Sequence, residues 1–224
     1  MREALDALAA FYGRLAPPPQ ELFGFVVWEI LSARTLPSRR DLAWLALRRL
    51  PALTPDAMFL ASKADLQAAL LMVPGRDARI DELRAASGHL RRHRHLEAVV
   101  AGRLSAAVRA LADVPTLTPA GRVRALLFPG GHAVAPIDEG IVRVVTRVYG
   151  LDHPRPAGRR RLARQRFQLE CDGELASMRH AAVLMAHHAA QACLPASPHC
   201  GVCPLASRCR FAATANSSTG PALS

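Results

Sequence analysis

Apolar residues return every three or four positions in ELFGFVVWEILSAR, SRRDLAWLALRRL, SKADLQAALLMV, ARIDELRAASGHLRR, LSAAVRALADV and DEGIVRVVTRVYG. That spacing puts them on one face of a helix. Between these stretches lie LAPPPQ, LPSR, LPALTP, VPGRD, VPTLTPAG and FPGG, where proline and glycine stop helices. The strict alternation of a half-buried strand is absent. The pattern predicts an all-α protein whose helices are joined by short connections. The opening MREALDALAAFYGRLAPPP mixes acids and arginines among its apolar residues. It therefore predicts an amphipathic helix rather than a secretion signal. DHPRPAG reads as a loop leading into the basic helix RRRLARQRF, and ATANSSTGPALS, from Ala213 on, as a disordered tail.

Composition narrows the partners. Half of the 224 residues are hydrophobic, enough for one sizeable core or two modest ones. No apolar run reaches the roughly 18 residues that span a bilayer, so a cytoplasmic, nucleoid-associated protein with no membrane partner is expected. With 29 basic and 18 acidic side chains the net charge is +11, which favours a polyanion and makes nucleic acid the expected partner. Arginine supplies nearly all of the positive charge, because Lys63 is the only lysine. A GC-rich genome accounts for that choice of residue but not for the excess of charge.

Four of the five cysteines, Cys193, Cys200, Cys203 and Cys209, fall within CLPASPHCGVCPLASRC as C-x6-C-x2-C-x5-C. In a reducing compartment such crowding points to a metal rather than to disulfides. Structural zinc sites pair their ligands as two short C-x2-4-C units, and only Cys200 and Cys203 are so paired. Four thiolates on one loop, each able to meet a different corner of a cuboidal body, suit a [4Fe–4S] cluster. Zinc is the other reading. Cys171 lies far upstream and reads as a small buried hydrophobe.

This cysteine spacing at the end of a basic all-α chain resembles the endonuclease III branch of the helix-hairpin-helix DNA glycosylases. The resemblance extends to ILSARTLPSRR, VPGRDARI, LTPAGRVRA and APIDEGIVRVV. It implies a six-helix domain with a helix-hairpin-helix motif over 19–133 and a [4Fe–4S] cluster domain over 134–212. Residues 1–18 would pack with the cluster domain, 213–224 would form the tail, and a DNA cleft would lie between the two domains. It also implies base-excision repair by a monomer acting on double-stranded DNA that carries a damaged, mispaired or abasic site.

Carried over residue by residue, the resemblance makes Asp138 the catalytic carboxylate and Cys193, Cys200, Cys203 and Cys209 the cluster ligands. Arg34, Arg76, Ala120, Gly121 and Arg122 become the DNA-contacting set. Each has a plainer reading beside it. Asp138 suits a helix N-cap, a role compatible with catalysis. Arg34 stands where the family carries a glutamine that fills the gap left by a flipped base; its flat guanidinium could stack there, or it could be a surface arginine. Arg76 would touch the DNA backbone. LTPAGR could be a phosphate-gripping turn or an ordinary helix connection, with Pro119 and Gly121 in the places of the family's two hairpin glycines. RRHRH, from Arg91 to His95, reads as a solvated face, and His187 and His188 as ordinary helix residues.

In bifunctional family members a lysine attacks the sugar as an amine and cuts the strand. Two positions past Gly121, this chain has Val123 there. The interval from Val123 to Asp138 is also shorter than the family shows. Two functions follow: a monofunctional glycosylase using Asp138 and water, with little or no β-lyase activity, or a catalytically silent DNA- or lesion-binding protein on the same scaffold.

Overall fold

The computed structural model of the protein describes residues 2–50 and 53–217. The described residues are helical, with no strand among them. The chain divides into two compact units: Met1–Pro17 joined with Ala133–Ser224, and Pro18–His132.

In the Pro18–His132 unit the helices run α2 (Leu22–Ser32), α3 (Pro37–Leu47), α4 (Pro55–Leu60), α5 (Lys63–Ala69), α6 (Arg76–Arg92), α7 (Leu96–Ala101), α8 (Leu104–Ala112) and α9 (Pro119–Leu127). That is eight helices among the described residues, where the resemblance implies six. α4, α7 and α9 are not among the stretches that periodicity picks out; in α4 and α7 fewer than two turns are too few to display a helical stripe. Pro55 at the first position and the Thr54 hydroxyl, which accepts from the Ala57 N–H at 3.2 Å, start α4.

Two helices form the middle of this unit. α2 buries Leu22, Phe23, Phe25, Val26, Val27, Ile30 and Leu31, and a helix apolar nearly all round belongs at a centre. Phe25 and Phe128 stack at 6.3 Å. Each such ring contributes roughly 1.5–3 kcal/mol by leaving water. α6 packs on both α2 and α4. It meets α4 closely at Gly88, where an added Cβ would lie 3.2 Å from the Phe59 ring.

α9 is fixed to α2 by a two-pronged ion pair: Arg124 Nε donates to Glu29 Oε1 at 2.9 Å and its Nη2 to Oε2 at 2.5 Å. Bidentate geometry of this kind sets orientation as well as attraction. It holds the α8–α9 connection, VPTLT, in place. Val114 and Leu117 are buried and anchor the turn, while exposed Thr116 between them sits at φ +73°. A β-branched residue in the left-handed region is strained, at about 1–3 kcal/mol. Thr116→Gly is therefore expected to raise stability by about 1 kcal/mol, read as a rise in Tm of roughly 2–4 °C for a chain of this size. An unchanged or lower Tm would show that the hydroxyl or methyl of Thr116 offsets the strain.

The other unit holds α1 (Arg2–Tyr12), α10 (Glu139–Tyr149), α11 (Pro156–Glu170), α12 (Leu175–Gln191) and α13 (Arg210–Ser217), with two short 3-10 turns at Cys200–Val202 and Ala206–Arg208. α10 packs on α11, α12 and α13, and α1 packs on α12. α10 buries Ile141, Val144, Val145 and Val148 along one stripe and ends at Gly150 in the left-handed conformation that closes helices. The tail expected from Ala213 is helical through Ser217, because α13 continues past it. The rest of that expected tail, 218–224, lies outside the described residues.

Candidate functional sites

The four clustered cysteines line one pocket, together with Arg147, His188 and Phe211. Ahead of them α12 ends by hydrogen bonding: the Ala192 and Cys193 N–H groups both donate to the His188 carbonyl, at 3.0 and 2.9 Å. The loop folds back when the His199 N–H donates to the Ala192 carbonyl at 2.9 Å. Cys200 and Cys203 then bracket one 3-10 turn, and Cys209 follows the second. Cys171 is apart from them, buried, with its thiol pushed up to about 12 mainly by that burial.

Two arginines one turn apart on α10 bind the start of this loop. Arg143 donates to the Cys193 carbonyl at 2.7 Å and the Ala189 carbonyl at 3.0 Å, satisfying acceptors that the end of a helix leaves open. Arg147 donates to the Leu194 and Pro195 carbonyls at 2.7 and 2.8 Å. It also points at Cys193 Sγ, 3.5 Å away, and stacks on Phe211. Neither arginine was singled out from the sequence. Their i,i+4 spacing beside the apolar stripe of α10 is the signal that could have found them.

His188 corrects an expectation. Instead of being an ordinary helix residue it is 1 % exposed, with Nδ1 2.8 Å from the Tyr12 hydroxyl and Nε2 3.6 Å from Cys203 Sγ. Burial, then His187, holds its pKa down at about 4. Cys203 also accepts from the Leu205 N–H at 3.4 Å.

The donor set was tested for a metal centre on charge and arrangement. Burial raises the thiol pKa values of Cys203 and Cys209, and their cysteine neighbours raise them further. Several thiolates at such a place are compatible only with a strong positive centre among them, since a metal deprotonates its thiol ligands outright. Among the described residues no three His, Cys, Asp or Glu side chains form a group that could hold a metal ion. The four thiols instead surround a common pocket. Four thiols lining one pocket are the donor type that an iron–sulfur cluster takes.

Asp138 is the N-cap of α10: its Oδ1 accepts the Ile141 N–H at 2.8 Å. The buried Ala135, Pro136 and Ile137 lead into it, so a rigid segment and a helix end together hold a half-buried carboxylate. Glu139 beside it is exposed and pairs with Arg160 on α11.

The structure revises the expected hairpin. Thr118, not a glycine turn, caps α9: its Oγ1 accepts the Gly121 N–H at 3.0 Å, and its carbonyl accepts the Arg122 N–H at 2.9 Å. The Arg122 guanidinium donates to the Leu117 carbonyl at 3.2 Å. Gly121 and Arg122 are thus spent within the first turn of α9. Pro119 has no N–H, which leaves that of Ala120 as the remaining backbone donor there. Gly121 lies inside the helix, where an added Cβ would stand 3.0 Å from Glu29 Oε2. The residue that adopts the left-handed turn is Thr116. The left-handed turn at Thr116 and the cap at Thr118 thus precede Pro119 and Gly121. Neither Val123 nor Ala120, which lies two positions past Thr118, carries an amine. Lys63, the sole lysine, begins α5.

Arg34 is exposed in the turn after α2 and is itself left-handed, at φ +56°. Arg76 opens α6 behind Gly75, which caps that helix at φ +66°. The run from Arg91 to His95 is largely exposed, with Arg91 and Arg94 both paired to Asp56.

This all-helical fold, with one unit built from both chain ends and carrying a four-cysteine loop, is shared with solved structures of DNA glycosylases. Solved structures with which it shares that fold carry the particular names. A non-covalent endonuclease III–DNA complex matches with a TM-score of 0.71 over 96 % of each chain, at 16 % identity. A trapped endonuclease III–DNA covalent intermediate matches at 0.69, with the same coverage and identity. A thermostable thymine-DNA glycosylase matches at 0.68 over 95 % of this chain and 97 % of its own, again at 16 % identity. No protein-family model matches the chain, and no curated protein sequence does. No described helix is long and apolar enough to cross a membrane.

Proposed function

We propose that the protein is a monofunctional DNA glycosylase of base-excision repair, acting on a damaged or mispaired base in duplex DNA. The observation that carries this reading is the rigidly held carboxylate of Asp138 on a scaffold shared with endonuclease III. Breaking the bond between base and deoxyribose builds positive charge on the sugar. A fixed carboxylate lowers that barrier and orients a water for attack. The N-cap bond from Ile141 keeps Asp138 aimed without the carboxylate having to reorganise. The base must leave the stack to reach such a group, at a cost that is smallest for damaged or mispaired bases.

Cys193, Cys200, Cys203 and Cys209 would hold a [4Fe–4S] cluster. When bound, it would supply a covalent tie across the loop and a one-electron redox centre. DNA contact falls to the +11 net charge, to Arg76 at the start of α6, and to Arg34. With Gly121 and Arg122 engaged internally, the phosphate contact moves to the Thr116–Thr118 turn. There a left-handed residue beside right-handed ones can present successive N–H groups to an anion.

The test is a panel of lesion-bearing duplexes scored separately for binding and for base release. Base release from at least one lesion is expected. Binding throughout with no release would favour a lesion-binding protein on the same scaffold, the reading supported by the missing amine at Ala120 and Val123.

Arg34 provides the second arm of that test. A non-glycine residue held left-handed and exposed is strained without a packing return, as residues kept for function are. Arg34→Gly is expected to raise stability by about 1 kcal/mol while selectively weakening binding to abasic-site duplexes about tenfold, the effect of losing one desolvated stacking contact. Equal losses on intact and abasic duplexes would reduce Arg34 to a general phosphate contact.

A further inference from the structure

His188 touches the four-cysteine loop twice, through different atoms. Its backbone carbonyl accepts the Cys193 N–H at 2.9 Å, and its side-chain Nε2 lies 3.6 Å from Cys203 Sγ. The first and third cysteines of the loop are thus both tied to a single residue of α12. The ring is buried, and its other nitrogen is engaged by the Tyr12 hydroxyl at 2.8 Å. Tyr12 ends α1, at the far end of the chain from the cysteines, and its ring packs edge-on against His187 at 4.7 Å.

Counting hydrogens settles the direction of these bonds once Cys203 is a ligand. A ligating cysteine is a thiolate with no hydrogen to give, so the proton between it and the imidazole must sit on Nε2. A neutral imidazole carrying its proton there leaves Nδ1 as an acceptor. The Tyr12 hydroxyl is the donor that meets it. The chain Tyr12 O–H to Nδ1, then Nε2–H to Cys203 Sγ, is therefore the one arrangement in which a neutral ring and both its partners are satisfied.

We infer that His188 is a positioning residue for the cluster that tunes its reduction potential by donating an N–H···S hydrogen bond to Cys203, with Tyr12 fixing the ring in the donating orientation. This inference rests on the [4Fe–4S] reading above. Hydrogen bonds to cluster sulfurs stabilise the electron-richer state and raise the potential. Cys203 receives two such donors, from His188 and the Leu205 N–H, while Cys193 receives a cationic one from Arg147. The α1 helix thereby influences the electronics of a centre whose ligands lie nearly 200 residues later, through a single hydroxyl.

The experiment is a redox titration of the iron-loaded protein, followed by electron paramagnetic resonance, with a parallel measurement of iron release to a chelator. His188→Leu is expected to shift the midpoint potential downward and to speed iron release about tenfold, the usual consequence of losing an outer-shell partner. His188→Gln, which restores an N–H, should recover part of both effects. Tyr12→Phe, which keeps the ring and removes only the hydroxyl, should shift the potential in the same direction by less.

An unchanged potential in loaded Tyr12→Phe and in whichever His188 variant folds would overturn the inference while leaving the cluster in place. So would equal behaviour of the Leu and Gln variants, because a structural role would not distinguish them. Wild-type protein that binds zinc and no iron would overturn the cluster assignment itself, and this inference with it.

Discussion

Cys203→Ala is expected to purify without the brown colour and iron of the wild-type protein and to melt roughly 10 °C lower. The loop from Cys193 to Cys209 has little secondary structure of its own beyond two single 3-10 turns. It is held to the rest of its unit by backbone bonds to α12, by Arg143 and Arg147, by the Arg208–Glu3 pair and by buried Leu205. A centre bound by four thiolates closes that loop as a cross-link does. Removing such a link costs about 3 kcal/mol, equivalent to about 10 °C in a chain of this size. Cys171→Ala is the control: it removes an equally sulfurous but isolated side chain, and should keep the iron while costing about 1 kcal/mol of packing. Iron retained in Cys203→Ala, or lost in Cys171→Ala, would refute the ligand assignment.

The second large effect concerns the reaction. Asp138→Asn should keep α10 capped, because asparagine accepts the Ile141 N–H as well as aspartate does. It removes the charge that stabilises the developing cation, and a loss of 10²–10³-fold in base release is the expected order for one such group. Binding to the same duplex should survive. Borohydride should trap no protein–DNA adduct in wild type, since neither Ala120 nor Val123 carries an amine, and strand breaks should appear only after alkali. Adduct formation by the wild type, lost on Lys63→Ala, would mean that the amine has been relocated. Base release undiminished in Asp138→Asn would remove Asp138 from the chemistry.

What was legible in the sequence followed the length scale of the interactions involved. Most of the longer helices announced themselves, because an amphipathic stripe repeats over several turns; α2, α6 and α10 are read almost directly from their apolar spacing. The cysteine loop was legible for another reason: four thiols within one short segment are near one another whatever the fold. Asp138 was legible as an N-cap because the cap interaction spans three residues. Thr116 was not, because a strained residue contradicts the local preference by which sequences are read. The strain is maintained by Val114 and Leu117 in the core and by the Glu29–Arg124 pair that fixes α9 on α2.

By itself, the sequence determined an all-α chain, a strongly cationic one, the thiol set, and the absence of a lysine near the expected hairpin. Those properties depend on composition and on neighbours within a few positions. The tertiary structure decided the true hairpin turn, the grip of Arg143 and Arg147 on the loop, and the meeting of Tyr12, His188 and Cys203. Each of these depends on contacts far apart in sequence: 95 residues between Glu29 and Arg124, 46 to 50 from Arg143 and Arg147 to their carbonyls, and 176 between Tyr12 and His188. Nothing in the local pattern around Tyr12 or His188 distinguishes them from other helix residues. Only the packing of α1 on α12 turns a tyrosine, a histidine and a cysteine into one hydrogen-bonded chain.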